Sequence, residues 1–352
     1  MRHCLAISSL ILVVFVSTSF IQDESMRLRN IYSRPPAQWP APFVTEGVHW
    51  DELGELPAGP LQHRMDSLKH LIGLGKILFF DTRLSGSGKI SCATCHQPEL
   101  SWADGLEKSL GHEGTINKRN SPSLQNVWFY KKLFWDGRAR DLEDQAFAPI
   151  NSESEMHGDM RELPGKLRRI EAYKSLFDSA YGDPGIDPDR IAGAMAAFQR
   201  TIVSSPSSFD RFLAGEKKAL SNSQLRGLHL FRTKAKCLNC HHGALFSDNQ
   251  FHNNGFAGDD KGLYQVTHVE GDLGKFKTPS LRDVMKTAPW MHDGSQKNLM
   301  VIIEAYNEGK PATGKDVLLK PLGLTRQEKL DLLAFLHAIS AEPLPFDKPV
   351  IP

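Results

Sequence analysis

Cys92-Ala-Thr-Cys95-His96 and Cys237-Leu-Asn-Cys240-His241 decide how this chain is to be read. Paired cysteines in an exported protein ordinarily form disulfides. Here two residues separate the members of each pair and a histidine follows at once, which is the attachment run of heme c. Two thiols at this spacing add across the vinyl groups of one porphyrin, and the adjacent imidazole reaches its iron. A zinc site would have to pool both pairs, which lie too far apart in sequence for a compact zinc module. The expectation is two heme c groups. One sits on Cys92 and Cys95 with His96 as proximal ligand, the other on Cys237 and Cys240 with His241.

Working outward, the flanking segments read as helices. Leu68, Leu71, Ile72, Ile77 and Leu78 recur at helical spacing before the first run. Asp187-Pro188 places an N-cap before a proline at the first helical position, with Ile191, Met195, Phe198 and Ile202 as the apolar face. Ser221 opens a third helix, in which Leu225, Leu228 and Phe231 lead into the second run. Thr325 and Glu328 form a capping box for a last helix with Leu330, Leu333, Leu336 and Ile339. Alternating runs of strand type are scarce. Helix, Cys-x-x-Cys-His, loop-rich segment, helix therefore occurs twice. The expected fold class is all-α: two cytochrome c-like domains, residues 62–210 and 211–345, with the boundary near 205 to 220.

Residues 21–61 carry Pro35, Pro36, Pro40, Pro42, Pro57 and Pro60 together with Trp39 and Trp50. Proline removes backbone donors and fixes φ, so this stretch is expected to be an extended arm that packs on the body through its tryptophans. Residues 1–20 read as a secretory signal. Arg2 and His3 precede an apolar run densest from Leu10 to Val16, and Ser17 and Ser19 suit a cleavage site. The run is shorter than the roughly 20 apolar residues of a membrane span; an uncleaved anchor is the alternative. Cys4 would leave with the signal, and the expected location is the periplasm. A formal net charge of +1 gives no basic field for nucleic acid.

Leu74-Gly-Lys-Ile-Leu-Phe-Phe-Asp-Thr-Arg-Leu-Ser, running on to Ser91-Cys-Ala-Thr-Cys-His-Gln-Pro98, resembles the bacterial diheme cytochrome c peroxidase family, which includes the MauG-type enzymes. So do Phe134-Trp135-Asp136-Gly137-Arg138, Leu142-Glu143-Asp144-Gln145, Thr278-Pro279-Ser280-Leu281-Arg282 and Pro289-Trp290-Met291-His292-Asp293-Gly294. The resemblance spans roughly residues 62–340, with several motifs matching in order and spacing.

The resemblance implies reduction of hydrogen peroxide at the N-terminal heme, with electrons entering at the C-terminal heme from a small redox protein or a quinol-linked cytochrome. It implies Glu155, in Asn151-Ser152-Glu153-Ser154-Glu155-Met156, as acid–base catalyst, with Glu153 as the rival. It implies Gln145 as an amide lining the same pocket and Trp135 as an electron relay between the hemes. His112 matches a loop histidine that caps the peroxidatic iron at rest and leaves on activation. Asn120, Thr287 and Pro289 match the ligands of an inter-domain calcium ion. Tyr306 falls where peroxidases of the family place a methionine as distal ligand of the C-terminal heme and where MauG-type enzymes place a tyrosine. Met300, Met291 and His292 are its competitors. A homodimer is a further expectation. Two other readings stand beside peroxide reduction: oxidation of Trp or Tyr residues on a partner protein, and electron transfer without catalysis.

Overall fold

The structure, a computed structural model, describes residues 24–309 and 316–352, so the signal reading of residues 1–20 lies outside it. Among the described residues no helix is long and apolar enough to cross a membrane. Among the described residues regular structure is almost entirely helical, and the one strand pair is Phe251–His252 against Phe276–Lys277.

Each half is built on one helix crossing. Lys69–Phe80 leads into the first Cys-x-x-Cys-His run and packs across Pro188–Gln199, while Asn222–Arg232 leads into the second and packs across Arg326–Ala338. Glycine lets the backbones approach at both crossings. A Cβ on Gly75 would meet the Ala194 carbonyl oxygen at 1.8 Å, and one on Gly227 would meet that of Asp331 at 2.0 Å. Neither position admits a side chain without parting the helices. The caps are those expected from the sequence. Asp187 accepts from the Arg190 N–H, and Ser221 with Gln224 and Thr325 with Glu328 close capping boxes.

The N-terminal stretch departs from the extended arm expected of it, because residues 24–32 are helical. The first proline is Pro35, so nothing bars a helix upstream of it, and Leu28 and Tyr32, four residues apart, bury one face. Leu28, Tyr32, Trp39 and Leu53 join the core of the second half beside Phe231, Phe246 and Phe335. Fully buried Arg232 fastens them: its guanidinium pairs with Glu52 and lies 5.5 Å from the Tyr32 ring and 5.1 Å from the Trp39 ring. The C-terminal residues 340–352 run the other way, back to the first half. There Phe346 stacks on Phe80 at 5.6 Å and meets Trp102 edge-on at 4.9 Å, and Lys348 pairs with Glu99 at 2.7 Å.

The duplication goes deeper than the heme runs. Residues 121–151 and 278–308 repeat one structure at a constant offset (299 − 142 = 157). The 3-10 turns Val127–Phe129 and Val284–Lys286 each follow a left-handed residue, Asn126 and Asp283. The bridges Leu133↔Ala139 and Trp290↔Gln296 match, and so do the helices Leu142–Asn151 and Leu299–Glu308. The copies also face each other. The Asn120 N–H donates to the His292 carbonyl (2.8 Å), and at the same offset the Lys277 N–H donates to the Trp135 carbonyl (2.9 Å). This exchange relates the two halves by an approximate two-fold axis.

Candidate active site

Two cavities flank that axis. The one in the first half, of about 750 Å³, is lined by Cys92, Cys95 and His96 and also by Arg138, Gln145, Pro149 and Glu155. The one in the second half, of about 320 Å³, is lined by Cys237, Cys240 and His241 with Met291, His292 and Tyr306. Asn120, Tyr130, Trp135 and Lys277 line both.

The cysteines and histidines fit covalent heme. All four thiols are free rather than paired in disulfides. Burial pushes Cys92 and Cys237 up to about 12 and Cys95 to about 11, so these thiols stay protonated. The His96 Nδ1 bonds to the Trp102 carbonyl (3.1 Å) and the His241 Nδ1 to the Phe246 carbonyl (2.9 Å). Each bond fixes the tautomer and leaves Nε2 for iron. Both acceptor carbonyls belong to residues in the left-handed region, Trp102 (φ 61°) and Phe246 (φ 54°), so the two proximal loops are built alike. Burial also holds both imidazoles below their ordinary pKa, which keeps them neutral as a metal ligand requires. Intact mass of protein matured in a heme c-competent host should exceed the polypeptide by two heme masses, and a single-heme mass would contradict this fit.

Around the larger cavity the helix Leu142–Asn151, capped by Asp141, carries Gln145 and Pro149 to the wall, and the turn after it brings Glu155. Burial raises the Glu155 carboxyl above the ordinary range, against the pull of Arg138. Glu153 is exposed and does not line the cavity. Trp135 reaches both cavities and donates its indole N–H to the Asn120 carbonyl (2.9 Å). Asn120, Thr287 and Pro289 all line the smaller cavity. The Asn120 amide nitrogen is spent on the Leu106 carbonyl (2.9 Å), which leaves its oxygen for a cation.

His112 stands apart from the site expected for it. Its ring stacks on His157 at 4.3 Å and does not line the larger cavity. Its backbone N–H is held by the Glu155 carbonyl (2.8 Å), and this anchors the loop in its outward position. Tyr306 does line the smaller cavity, where the Asn254 amide lies 3.5 Å from its hydroxyl and 3.6 Å from the Met291 sulfur. Met300 lies off that wall.

Sequence reasoning missed Pro149. At the offset of the duplication it is the counterpart of Tyr306, so each cavity receives one residue from the same register of the same helix. In the second half that residue is a phenol that can bind iron. In the first half it is a proline, whose side chain has no donor atom to offer a metal. Setting residues 121–151 against 278–308 would have shown it.

A fold of two matched halves, each with its own heme-attachment run and cavity, defines a diheme cytochrome c. The family model described as di-haem cytochrome c peroxidase matches residues 69–218. Cytochrome-c peroxidase IdrP1 from a Pseudomonas species is 39% identical over 336 residues, spanning 85% of this chain and 89% of its own length. Methylamine utilization protein MauG from Methylophilus methylotrophus is 41% identical over 289 residues, spanning 79% and 85%. Among solved structures, a MauG-like protein associated with microbial copper homeostasis has a TM-score of 0.73 at 30% identity, covering 85% of this chain and 96% of its own. The diheme peroxidase BthA from Burkholderia thailandensis shares the fold, with a TM-score of 0.68 at 22% identity over 90% and 98%. The chain belongs to the diheme cytochrome c peroxidase family.

Proposed function

We propose that the larger cavity reduces hydrogen peroxide to two waters with two electrons and two protons. The observation that carries this reading is the register pair Pro149 and Tyr306. One cavity receives no side-chain metal ligand from that helix and holds a buried carboxyl group, while the other is offered a ligand from the same register. An open side with an acid–base group suits catalysis, and a closed one suits electron entry. When bound, heme supplies the iron that accepts peroxide and the electrons that reduce it. Glu155 is placed to accept a proton from peroxide and to return it to the oxygen that leaves as water. Gln145 orients peroxide from the same wall. Trp135, common to both cavities, is the relay for electrons.

Several further assignments belong to this reading. A small redox protein or quinol-linked cytochrome supplies the electrons, the protein works in the periplasm, and a homodimer is its assembly. A calcium ion between the halves takes the Asn120 side-chain oxygen and the carbonyls of Thr287 and Pro289. His112 caps the peroxidatic iron only when its loop swings inward. Gly111 and Gly114 flank the residue, and the swing breaks the bond from its N–H to the Glu155 carbonyl.

Steady-state peroxide consumption by the diheme protein with a reduced artificial donor tests the reading. Turnover is expected, and none under any degree of prior reduction would overturn it. His112→Gly should remove any dependence on prior reduction and give a high-spin N-terminal heme in electron paramagnetic resonance. An unchanged low-spin signal in that variant would mean that the loop supplies no ligand.

A further inference from the structure

Lys277 is buried between the two cavities, with 9% of its surface exposed. Its ammonium donates to the Lys132 carbonyl (3.0 Å) and lies 3.9 Å from the centre of the Tyr130 ring. Among the described residues no carboxylate pairs with it. Asp136, whose charge it feels, is already held by Arg119 (2.5 Å) and Arg138 (3.0 Å). Burial pushes its pKa down to about 7, against the pull of Asp136. A lysine in such a place calls for a reason.

The approximate two-fold axis supplies one. At the offset of 157 residues, Lys277 is the counterpart of Asn120, Tyr130 that of Thr287, and Lys132 that of Pro289. Asn120, Thr287 and Pro289 are the three residues assigned to calcium. The Lys277 ammonium therefore rests on the counterparts of the other two members of that set, and it binds a backbone carbonyl as a cation would. The main-chain bonds of Asn120 and Lys277 already exchange across the axis. The Tyr130 face adds a cation–π contact, which a lone ammonium uses well.

We propose that Lys277 is a tethered cation, its ammonium filling the two-fold mate of the calcium position and supplying there the positive charge that a second calcium ion would bring. The inference rests on the calcium reading above for the identity of the mate, but the side-chain placement is its own. One half of the duplication takes its cation from solution and the other carries it on the chain. Each side of the axis thereby has its own cation position, and only one of the two is sensitive to chelators.

Calcium bound per chain, measured by elemental analysis of the diheme protein after dialysis, tests this. Wild type should hold one ion, Lys277→Arg one, and Lys277→Asn, which restores the residue found at the mate, two. Lys277→Asn holding the same number as wild type overturns the proposal. If wild type holds none, the calcium reading falls by itself; an ion in Lys277→Asn alone then still supports the tethered cation, and none in either overturns both. Lys277→Met gives an independent readout, because loss of a buried positive charge beside the hemes destabilises their reduced forms. Midpoint potentials should fall in Lys277→Met and stay near wild type in Lys277→Arg. Potentials unchanged in Lys277→Met overturn the electrostatic role.

Discussion

Glu155→Gln should leave both hemes attached and lower peroxide turnover by about 10²–10⁴-fold, the range a positioned acid–base group contributes. The carboxyl group lines the larger cavity, and the amide that replaces it keeps the size and polarity of the side chain but cannot shuttle a proton. The pH dependence should carry the same signature. Burial raises the Glu155 pKa above the ordinary range, and the group must begin the reaction as a carboxylate. The rate of reaction with peroxide should therefore fall as pH drops through that raised pKa, and the fall should vanish in Glu155→Gln. Glu153→Gln, on an exposed side chain outside the cavity, should change little. Near wild-type turnover in Glu155→Gln would remove this residue from the mechanism.

Tyr306→Phe should change the low-spin spectrum of the C-terminal heme and raise its midpoint potential. A phenolate is a hard, anionic donor that favours ferric iron, whereas a thioether is soft and favours ferrous iron. Without iron, burial holds the Tyr306 hydroxyl at about 12, so the phenol is neutral and only the metal's own charge can ionise it. The geometry narrows the competition to Met291, whose sulfur shares the Asn254 amide with Tyr306, and His292, which lines the same cavity and stacks on Phe276 at 3.8 Å, while Met300 lies off the cavity wall. A near-infrared band of His/Met ligation in the oxidised protein, abolished by Met291→Leu, would reject the tyrosine. With tyrosine as ligand, activation by reduction needs a stronger donor than a methionine-ligated heme would, and the oxidised state is the one the site is built to hold.

Much of this was legible in the residues alone. The two Cys-x-x-Cys-His runs announced the cofactor because thioether attachment is local chemistry, complete within five consecutive residues. Asp187-Pro188, Ser221 and Thr325 announced helix starts because capping is local too. The helix at 24–32 was obscured by the prolines that follow it, since a composition reading spreads their influence upstream where they exert none.

Other assignments needed the folded chain. Glu155 and Glu153 stand two residues apart on an irregular turn, and only the packing of that turn decides which one faces the cavity. His112 lies in a loop held by its backbone bond to Glu155 and by the stack of its ring on His157, contacts between residues far apart in sequence. The roles of Pro149 and Lys277 come from symmetry: each means little beside its neighbours and acquires meaning from its mate, 157 residues away. The sequence by itself determined the heme attachment and most helices, because those depend on short-range bonding and periodicity. The tertiary structure decided which side chain faces which cavity and where buried charge is placed, because burial and pairing arise only when distant segments meet.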